Sequence, residues 1–332
     1  MVTREVTVTG EVIIDEQRCL GCGYCVQFCP RGCLEKDESK ISRHGFTQPT
    51  LTKPEQCTAC GLCARICPRW AIEVYLSIEA PGGAAIRERV AGPPRLALTP
   101  PVEGCAGCQH STVGRIIADV LDELGVGDRA IALDAISCGG SSAFGLDFGE
   151  VLGVYDQPAD VATTIKRAHP DAIVFAVQDI GTYNRLGIES FIGALNRGEK
   201  ITIVCCNDAI YGHRGRQAEP TFTWLNTTGR RQFIIGDYPL HAAELAASFR
   251  GVAYSARGAL TSPDEYQRTQ SYIRTAFQKQ MDNIGFSFVE ILCACFSKYV
   301  FDETPIDCLK WIHEKMATEL PLGEFKNVNR LE

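Results

Sequence analysis

From about residue 102 onward, short apolar runs alternate with stretches whose apolar residues recur at three- and four-residue steps. STVGRIIADVLDELG, residues 111–125, has that stepping and stops at Gly125, the pattern of an amphipathic helix closed by glycine. AIVFAV, ITIVCC, QFIIGD and FSFVEIL are brief continuous apolar runs, the kind buried on both faces of a parallel sheet. Ser262-Pro263-Asp264-Glu265 reads as a capping box with proline at the first helical position. Together these predict an α/β domain with a mostly parallel sheet. The first quarter of the chain is different. Its apolar stretches, EVIID at 11–15 and AIEVYL at 71–76, are strand-like and flank cysteine-rich loops. Between the two regions, residues 79–101 are rich in Gly, Pro and Ala without an apolar period, which predicts a linker or a draped arm.

The cysteines change this picture most. Of the 17 in the chain, eight form two copies of C-x-x-C-x-x-C-x-x-x-C-P: Cys19, Cys22, Cys25, Cys29 and Pro30, then Cys57, Cys60, Cys63, Cys67 and Pro68. In this motif three cysteines of one loop share an iron–sulfur cluster with the last cysteine of the other. One cluster is therefore expected on Cys19, Cys22, Cys25 and Cys67, and another on Cys57, Cys60, Cys63 and Cys29. Each proline fixes φ and turns the chain away behind the fourth cysteine. CxxC pairs also suit zinc, but two complete four-cysteine runs favour clusters over that alternative. A third, dispersed set comprises Cys105 and Cys108 in CAGC, Cys138 in SCGG and Cys295 in LCAC. By themselves Cys138 and Cys295 equally suit small buried core positions. Three clusters would move electrons one at a time.

At 332 residues there is room for one small domain and one larger one. No apolar run approaches the ~20 residues of a membrane span. MVTREVTVTG lacks a signal-peptide core, so a cytoplasmic location is expected, which also disfavours disulfides. A net charge of −7 argues against nucleic-acid binding and suits a partner with a basic face.

CAGCQHSTVGRIIADVLDELG, SCGG, VATTIKRAHPDAIVFAVQ, RGEKITIVCCNDAIYG, SFVEILCAC and PIDCLKWIHEKM with PLGEFK occur in that order over residues 102–326. In sum they resemble the β subunit of 2-oxoacid:ferredoxin oxidoreductases, while the N-terminal repeat resembles a bacterial dicluster ferredoxin. The resemblance implies a small α+β ferredoxin domain over 1–78, a linker over 79–101 and a thiamine diphosphate-binding fold over 102–332. It implies three [4Fe–4S] clusters, the third held by Cys105, Cys108, Cys138 and Cys295, with Cys295 rather than Cys293 in the last place. His110 matches a catalytic histidine near the cofactor; as a structural histidine it would simply be hydrogen-bonded. Thiamine diphosphate and Mg²⁺ are expected at Gly181, Thr182, Asn207, Asp208, Ile210, Tyr211 and Gly212, with Asp208 on the metal and Ile210 offering a backbone carbonyl. The implied reaction is oxidative decarboxylation of a 2-oxoacid, usually to an acyl-coenzyme A, with electrons leaving singly through the clusters to an external ferredoxin or other acceptor. An α subunit, and a γ-type domain, complete the site in that family, so the chain is expected to act only in an assembly.

The sequence departs from the family at the metal motif. The usual Gly-Asp-Gly-Asp aligns with Asp179-Ile180-Gly181-Thr182, so Ile180 stands where a metal-binding aspartate is expected. Mg²⁺ wants hard oxygen ligands, and isoleucine has none. Asp208 restores a carboxylate at a family asparagine position, and Asp179 reaches the same place if the loop shifts by one residue. Alternatively the diphosphate site has decayed and the chain is a non-catalytic electron-transfer subunit. A family His-Gly-Arg aligns with Tyr155-Asp156-Gln157, and a Thr-Gly-Gly-Gln with Arg214-Gly215-Arg216-Gln217. The added arginines suit a second substrate carboxylate or a solvated surface. Cys33, Cys205, Cys206, Cys293 and Cys308 belong to no set of four; Cys205 and Cys206 are expected to pack as small apolar side chains.

Overall fold

The computed structural model describes residues 7–79, 85–96, 106–135, 149–152, 157–184, 187–211, 219–220, 239–295 and 304–331. Its N-terminal part runs β1 (Thr7–Ile14), α1 (Tyr24–Gln27), β2 (Leu34–Ile41), β3 (Thr47–Leu51), α2 (Leu62–Ile66), β4 (Ile72–Glu79) and β5 (Ala85–Ala91). β1 and β4 pair antiparallel, and β2 and β3 form a separate antiparallel pair. β5 lies within the stretch expected to be a linker or a draped arm, and it adds to β4 as a third antiparallel strand. Cross-strand charge and ring contacts hold it, with no apolar run. Arg87 pairs with Glu11 at 2.8 Å and lies 3.8 Å over the Tyr75 ring, and Arg89 reaches Glu73 at 3.4 Å.

The two cysteine loops share a backbone signature. Gly21 and Ala59, Gly23 and Gly61, and Gly32 and Trp70 occupy matching places in the repeat, and all six have left-handed φ between 49° and 82°. Gly23 and Gly61 open α1 and α2. The left-handed turn is what lets three cysteines of one loop face a common centre.

The larger part contains α3 (His110–Glu123), β6 (Ala130–Ala135), β7 (Gly149–Leu152), α4 (Pro158–Ala168), β8 (Ile173–Asp179), a 3₁₀ turn (Ile180–Asn184), α5 (Gly187–Arg197) and β9 (Thr202–Asn207). A two-residue ladder of β10 (Ile210–Tyr211) and β11 (Glu219–Pro220) follows, then α6 (Ala242–Ala247), β12 (Val252–Ala259), α7 (Pro263–Met281) and β13 (Phe286–Leu292). The chain closes with α8 (Pro305–Trp311), a π turn (Ile312–Met316), α9 (Ala317–Glu319) and β14 (Gly323–Asn327). The sheet order is β14-β12-β13-β9-β8-β6-β7, parallel throughout except for the antiparallel edge strand β14. The expected mostly parallel α/β sheet is present. QFIIGD lies outside the described residues. Ser262 caps α7 by accepting from the Glu265 amide at 3.2 Å; the reciprocal capping box is found instead at Thr304 and Asp307 on α8.

Strand alternation divides the interior. Val204, Cys206, Val289 and Ile291 face one core, and Ile203, Cys205 and Phe288 the other. The first core also takes in Tyr24, Phe28, Ile66 and Trp70 from the cysteine-repeat region, packed with Val113, Ile116 and Ile117 of α3 and Leu309 of α8. Hydrogen bonds reinforce this junction. Arg115, Thr112 and Ser111 donate to the carbonyls of Ala64 (3.1 Å), Ile66 (3.3 Å) and Pro68 (2.6 Å). These carbonyls lie in and just beyond α2, where a helix end leaves acceptors without internal partners. The two parts are therefore joined through a shared interior.

Candidate cofactor sites

Cys29, Cys57, Cys60 and Cys63 line one cavity of about 360 Å³, open to solvent and walled by Pro30, Leu34 and Val74. Gly10 is needed behind it, because a Cβ there would lie 2.5 Å from Cys57 Sγ. Burial raises the Cys63 thiol to about 12, and the charges of Cys60, Cys57 and Cys29 add to the shift. Cys29 moves the other way. Burial opposes its ionisation, but amide donors at Cys33, Arg31 and Gly32 outweigh that and lower it. The Cys33 amide donates to Cys29 Sγ at 3.3 Å, and the equivalent Ala71 amide donates to Cys67 Sγ at 3.4 Å. Cys33, outside every set of four, thus serves this one through its backbone.

Burial also raises Cys19, to about 11, and raises Cys22, Cys25 and Cys67. Cys19, Cys22 and Cys25 each sense the charge of Cys67, so these four thiols are electrostatic neighbours. Cys25 senses Cys63 as well, which places the two sets side by side. Among the described residues neither set brings three donor atoms within 4.8 Å of one another. Sulfurs on a single zinc ion, at about 2.3 Å from the metal, sit closer together than that.

Of the third set, Cys105 and Cys138 lie outside the described residues, and for the rest the structure joins the chain segments that carry Cys108 and Cys295. A single amide does this: Gln109 accepts from the Ala294 amide at 2.7 Å, its own amide donates to Ala294 O at 3.1 Å, and its side chain donates to Leu260 O at 2.8 Å. The neighbours of Gln109 and Ala294 in the chain are Cys108 and Cys295. Cys293 is fully buried, its thiol pushed well up by a hydrogen bond to Cys206 and by burial, and it also bonds His110, the histidine that bonds Cys108. Tyr24 links this region to the repeat. Its buried hydroxyl donates to Gly107 O at 2.6 Å, and after burial itself the charges of Cys22, Cys308, Cys108 and Cys293 raise it. Neither Gln109 nor Tyr24 carries a motif that sequence reading could find.

His110 opens α3 two residues beyond Cys108. Burial would raise the Cys108 thiol, but the charge and hydrogen bonds of His110 prevail and lower it. On its other side His110 Nε2 lies 3.7 Å from Asp208 Oδ2, both side chains being buried. His110, Cys206 and Cys293 also place their donor atoms within 4.8 Å of one another. Asp208 follows β9, and Asp179 ends the adjacent strand β8; both charges raise the buried Cys205 thiol, after burial itself and Glu290. The two carboxylates lie at the carboxyl ends of adjacent parallel strands, the edge where α/β folds bind ligands. They are hard oxygen donors of the type Mg²⁺ takes, so the donor chemistry fits a metal-bound diphosphate. Asp179 Oδ1 accepts from the amide and hydroxyl of Thr182, both at 3.2 Å, which fixes the turn through Gly181. Ile180 is buried in the apolar core with Phe191 and Leu195 and offers that edge nothing. Asn207 bonds Glu290 at 2.6 Å. Ile210 and Tyr211 form the short ladder with Pro220 and Glu219. Gly212, Tyr155, Asp156, Arg214, Gly215, Arg216 and Gln217 lie outside the described residues. Gln157 is exposed and precedes α4.

Residues 18–71 match the family model described as a 4Fe-4S dicluster domain, and residues 148–291 match the thiamine pyrophosphate enzyme C-terminal TPP-binding domain. The ketoisovalerate oxidoreductase subunit VorA of Methanothermobacter thermautotrophicus is 32% identical over 228 residues, covering 67% of this chain and 47% of that protein. The chain thus carries both of these domains and is homologous to named 2-oxoacid oxidoreductase subunits. The 2-oxoglutarate synthase subunit KorB of Methanocaldococcus jannaschii is 27% identical over 248 residues, 69% of this chain and 88% of that one. The chain spans about half the length of the VorA subunits it matches, 47% of each. In fold it resembles a solved 2-oxoglutarate:ferredoxin oxidoreductase from Magnetococcus marinus, with a TM-score of 0.50 at 16% identity, covering 69% of this chain and 82% of that one. Members of this oxidoreductase group fit both halves seen here, an iron–sulfur ferredoxin region and a thiamine diphosphate region. No helix among the described residues is long and apolar enough to cross a membrane.

Proposed function

We propose that this chain is the β-type subunit of a 2-oxoacid oxidoreductase, binding thiamine diphosphate and collecting the electrons of oxidative decarboxylation. One observation carries the reading: His110 touches Cys108 on one side and faces Asp208 across 3.7 Å on the other. A cluster ligand and a cofactor-edge carboxylate are thus separated by one imidazole, the proximity that single-electron withdrawal needs. Bound thiamine diphosphate supplies the electron sink for loss of CO₂.

In this reading Cys105, Cys108, Cys138 and Cys295 hold the cluster nearest the substrate. Cys19, Cys22, Cys25 and Cys67 hold the next, through the Tyr24 contact, and Cys57, Cys60, Cys63 and Cys29 the outermost. Cys60, the exposed thiol of that last set, marks where an external acceptor approaches. Asp208 and Asp179 are the oxygen donors for Mg²⁺, Thr182 holds the Asp179 turn, and His110 positions the reacting carbon against the nearest cluster. A partner α-type subunit, with a γ-type domain, completes the site and contributes coenzyme A contacts. The substrate is a 2-oxoacid.

The test is anaerobic purification of the chain with its partner, chemical analysis for iron, sulfide, magnesium and thiamine, and viologen reduction by a panel of 2-oxoacids. Thiamine in stoichiometric amount with turnover by the pair, and none by the lone chain, is the expected result. Iron without thiamine would instead support a purely electron-transferring subunit, the reading that Ile180 favours by withholding a ligand.

A further inference from the structure

The cofactor edge is braced from below by a buried charge network that the reaction scheme does not use. Arg257 on β12 and Glu290 on β13 sit opposite each other in adjacent parallel strands, and both side chains are wholly buried. Arg257 Nε donates to Glu290 Oε2 at 2.8 Å, and Nη1 donates to Glu244 Oε1 on α6 at 2.8 Å and to Pro321 O at 2.9 Å. Its Nη2 completes a two-pronged grip on Glu244. The second oxygen of Glu290 is spent on Asn207, whose Nδ2 donates to Oε1 at 2.6 Å. Asn207 Oδ1 in turn accepts from the Ala209 amide at 3.1 Å, and Ala209 is left-handed with φ 59°. Asp208 lies inside this turn, aimed at His110.

Resting on the thiamine diphosphate reading above, we propose that Glu290, held by Arg257, is a positioning residue for the cation site. It orients Asn207, which fixes the left-handed turn that presents Asp208 to the metal. Alanine in a left-handed conformation costs roughly 1 kcal/mol, so the turn needs an outside brace, and the Asn207 amide provides it. The arrangement also explains why two fully buried charges are kept. Breaking such a pair is costly while replacing it by apolar residues is often neutral, so retention points to a task beyond stability. Because Glu290 is charged, it strengthens the Asn207 bond and draws electron density toward Oδ1, as an outer-shell carboxylate does for a metal ligand. Titratable and charged neighbours of this network are Glu244, Asp179, Cys205, Cys206 and Asp208, on α6, β8, β9 and the turn after β9.

Glu290→Gln in the complete assembly is the direct test, read by titrating Mn²⁺ into metal-stripped protein with thiamine diphosphate present and following free Mn²⁺ by electron paramagnetic resonance. The expected result is a 10–100-fold weaker Mn²⁺ affinity, with iron content and reduced-cluster spectra unchanged. Where that variant does not fold, Arg257→Met with Glu290→Met removes the two wholly buried charges together, preserves volume and leaves only the Glu244 carboxylate, which is 32% exposed and reaches water. It should fold and show the same weakening, because the Asn207 brace is gone. Wild-type Mn²⁺ affinity in either folded variant overturns the inference and leaves the functional reading intact. Absence of Mn²⁺ and thiamine diphosphate binding by the wild-type assembly overturns both.

Discussion

Removing only the hydroxyl of Tyr24 tests whether the cysteine-repeat region and the α/β sheet form one cooperative body. Tyr24 is fully buried, and its hydroxyl bonds Gly107 O at 2.6 Å across 83 residues of sequence. Tyr24→Phe keeps the ring that packs with Phe28 and Trp70 in the shared core. What is lost is one hydrogen bond, and a carbonyl is left buried without that donor, a cost of about 2 kcal/mol. At roughly 2–4 °C per kcal/mol for a body of this size, the thermal midpoint should fall by about 4–8 °C. Tyr24→Ala also empties the ring volume and should cost about 3–5 kcal/mol. The assay is an anaerobic thermal scan at fixed rate, following circular dichroism of the helices and visible absorption of the clusters in the same sample. Both signals should shift together in both variants. If the cluster absorption moved alone, or if Tyr24→Phe left both midpoints in place, the shared-core argument would be wrong.

Gly10→Ala places a methyl group 2.5 Å from Cys57 Sγ, so the purified chain should lose about four irons while the remaining clusters survive; an unchanged iron count refutes this. Ile180→Asp, which recreates the carboxylate of related metal motifs, should lower stability by roughly 3–5 kcal/mol without raising Mg²⁺ affinity, because that side chain faces Phe191 and Leu195. Denaturant midpoints and metal titration read the two halves of that statement. For Glu244, burial raises the carboxyl but the Arg257 guanidinium outweighs it and holds the group below its usual range. Its stabilisation is therefore present above the ordinary carboxylate value near ~4.3 and is lost as pH falls through the lower folded value. Glu244→Gln should be less stable at pH 7 and should lose stability less steeply on acidification, measured by urea midpoints across that window.

The repeat was legible because its information is local: within each copy the cysteines, the proline and the glycine at 23 or 61 sit within a dozen residues of one another. The parallel sheet was legible because strands buried on both faces, such as Ile173–Asp179 and Thr202–Asn207, are apolar nearly throughout. β5 was hidden because its partners are Glu11, Glu73 and the Tyr75 ring, and charges on an edge strand leave no apolar period. β2, LEKDESKI, was hidden for the same reason, being mostly exposed and polar. The Asn207–Glu290–Arg257 network escaped because its members come from three strands, with 83 and 33 residues between bonded partners. Ile180 looked like a missing ligand in the aligned motif; only its packing reveals it as a core side chain.

Because Tyr24, Phe28, Ile66 and Trp70 are interior to the same core as α3, the metal centres cannot swing relative to the sheet. Tunnelling falls off steeply with separation, so a rigid spacing makes the internal hop insensitive to solvent viscosity and to whatever docks outside. In the proposed reading, control over turnover then rests with the two ends of the path, where substrate would enter and an acceptor would dock. Exchanging this cysteine-repeat region for another would require rebuilding the interior it shares with the sheet.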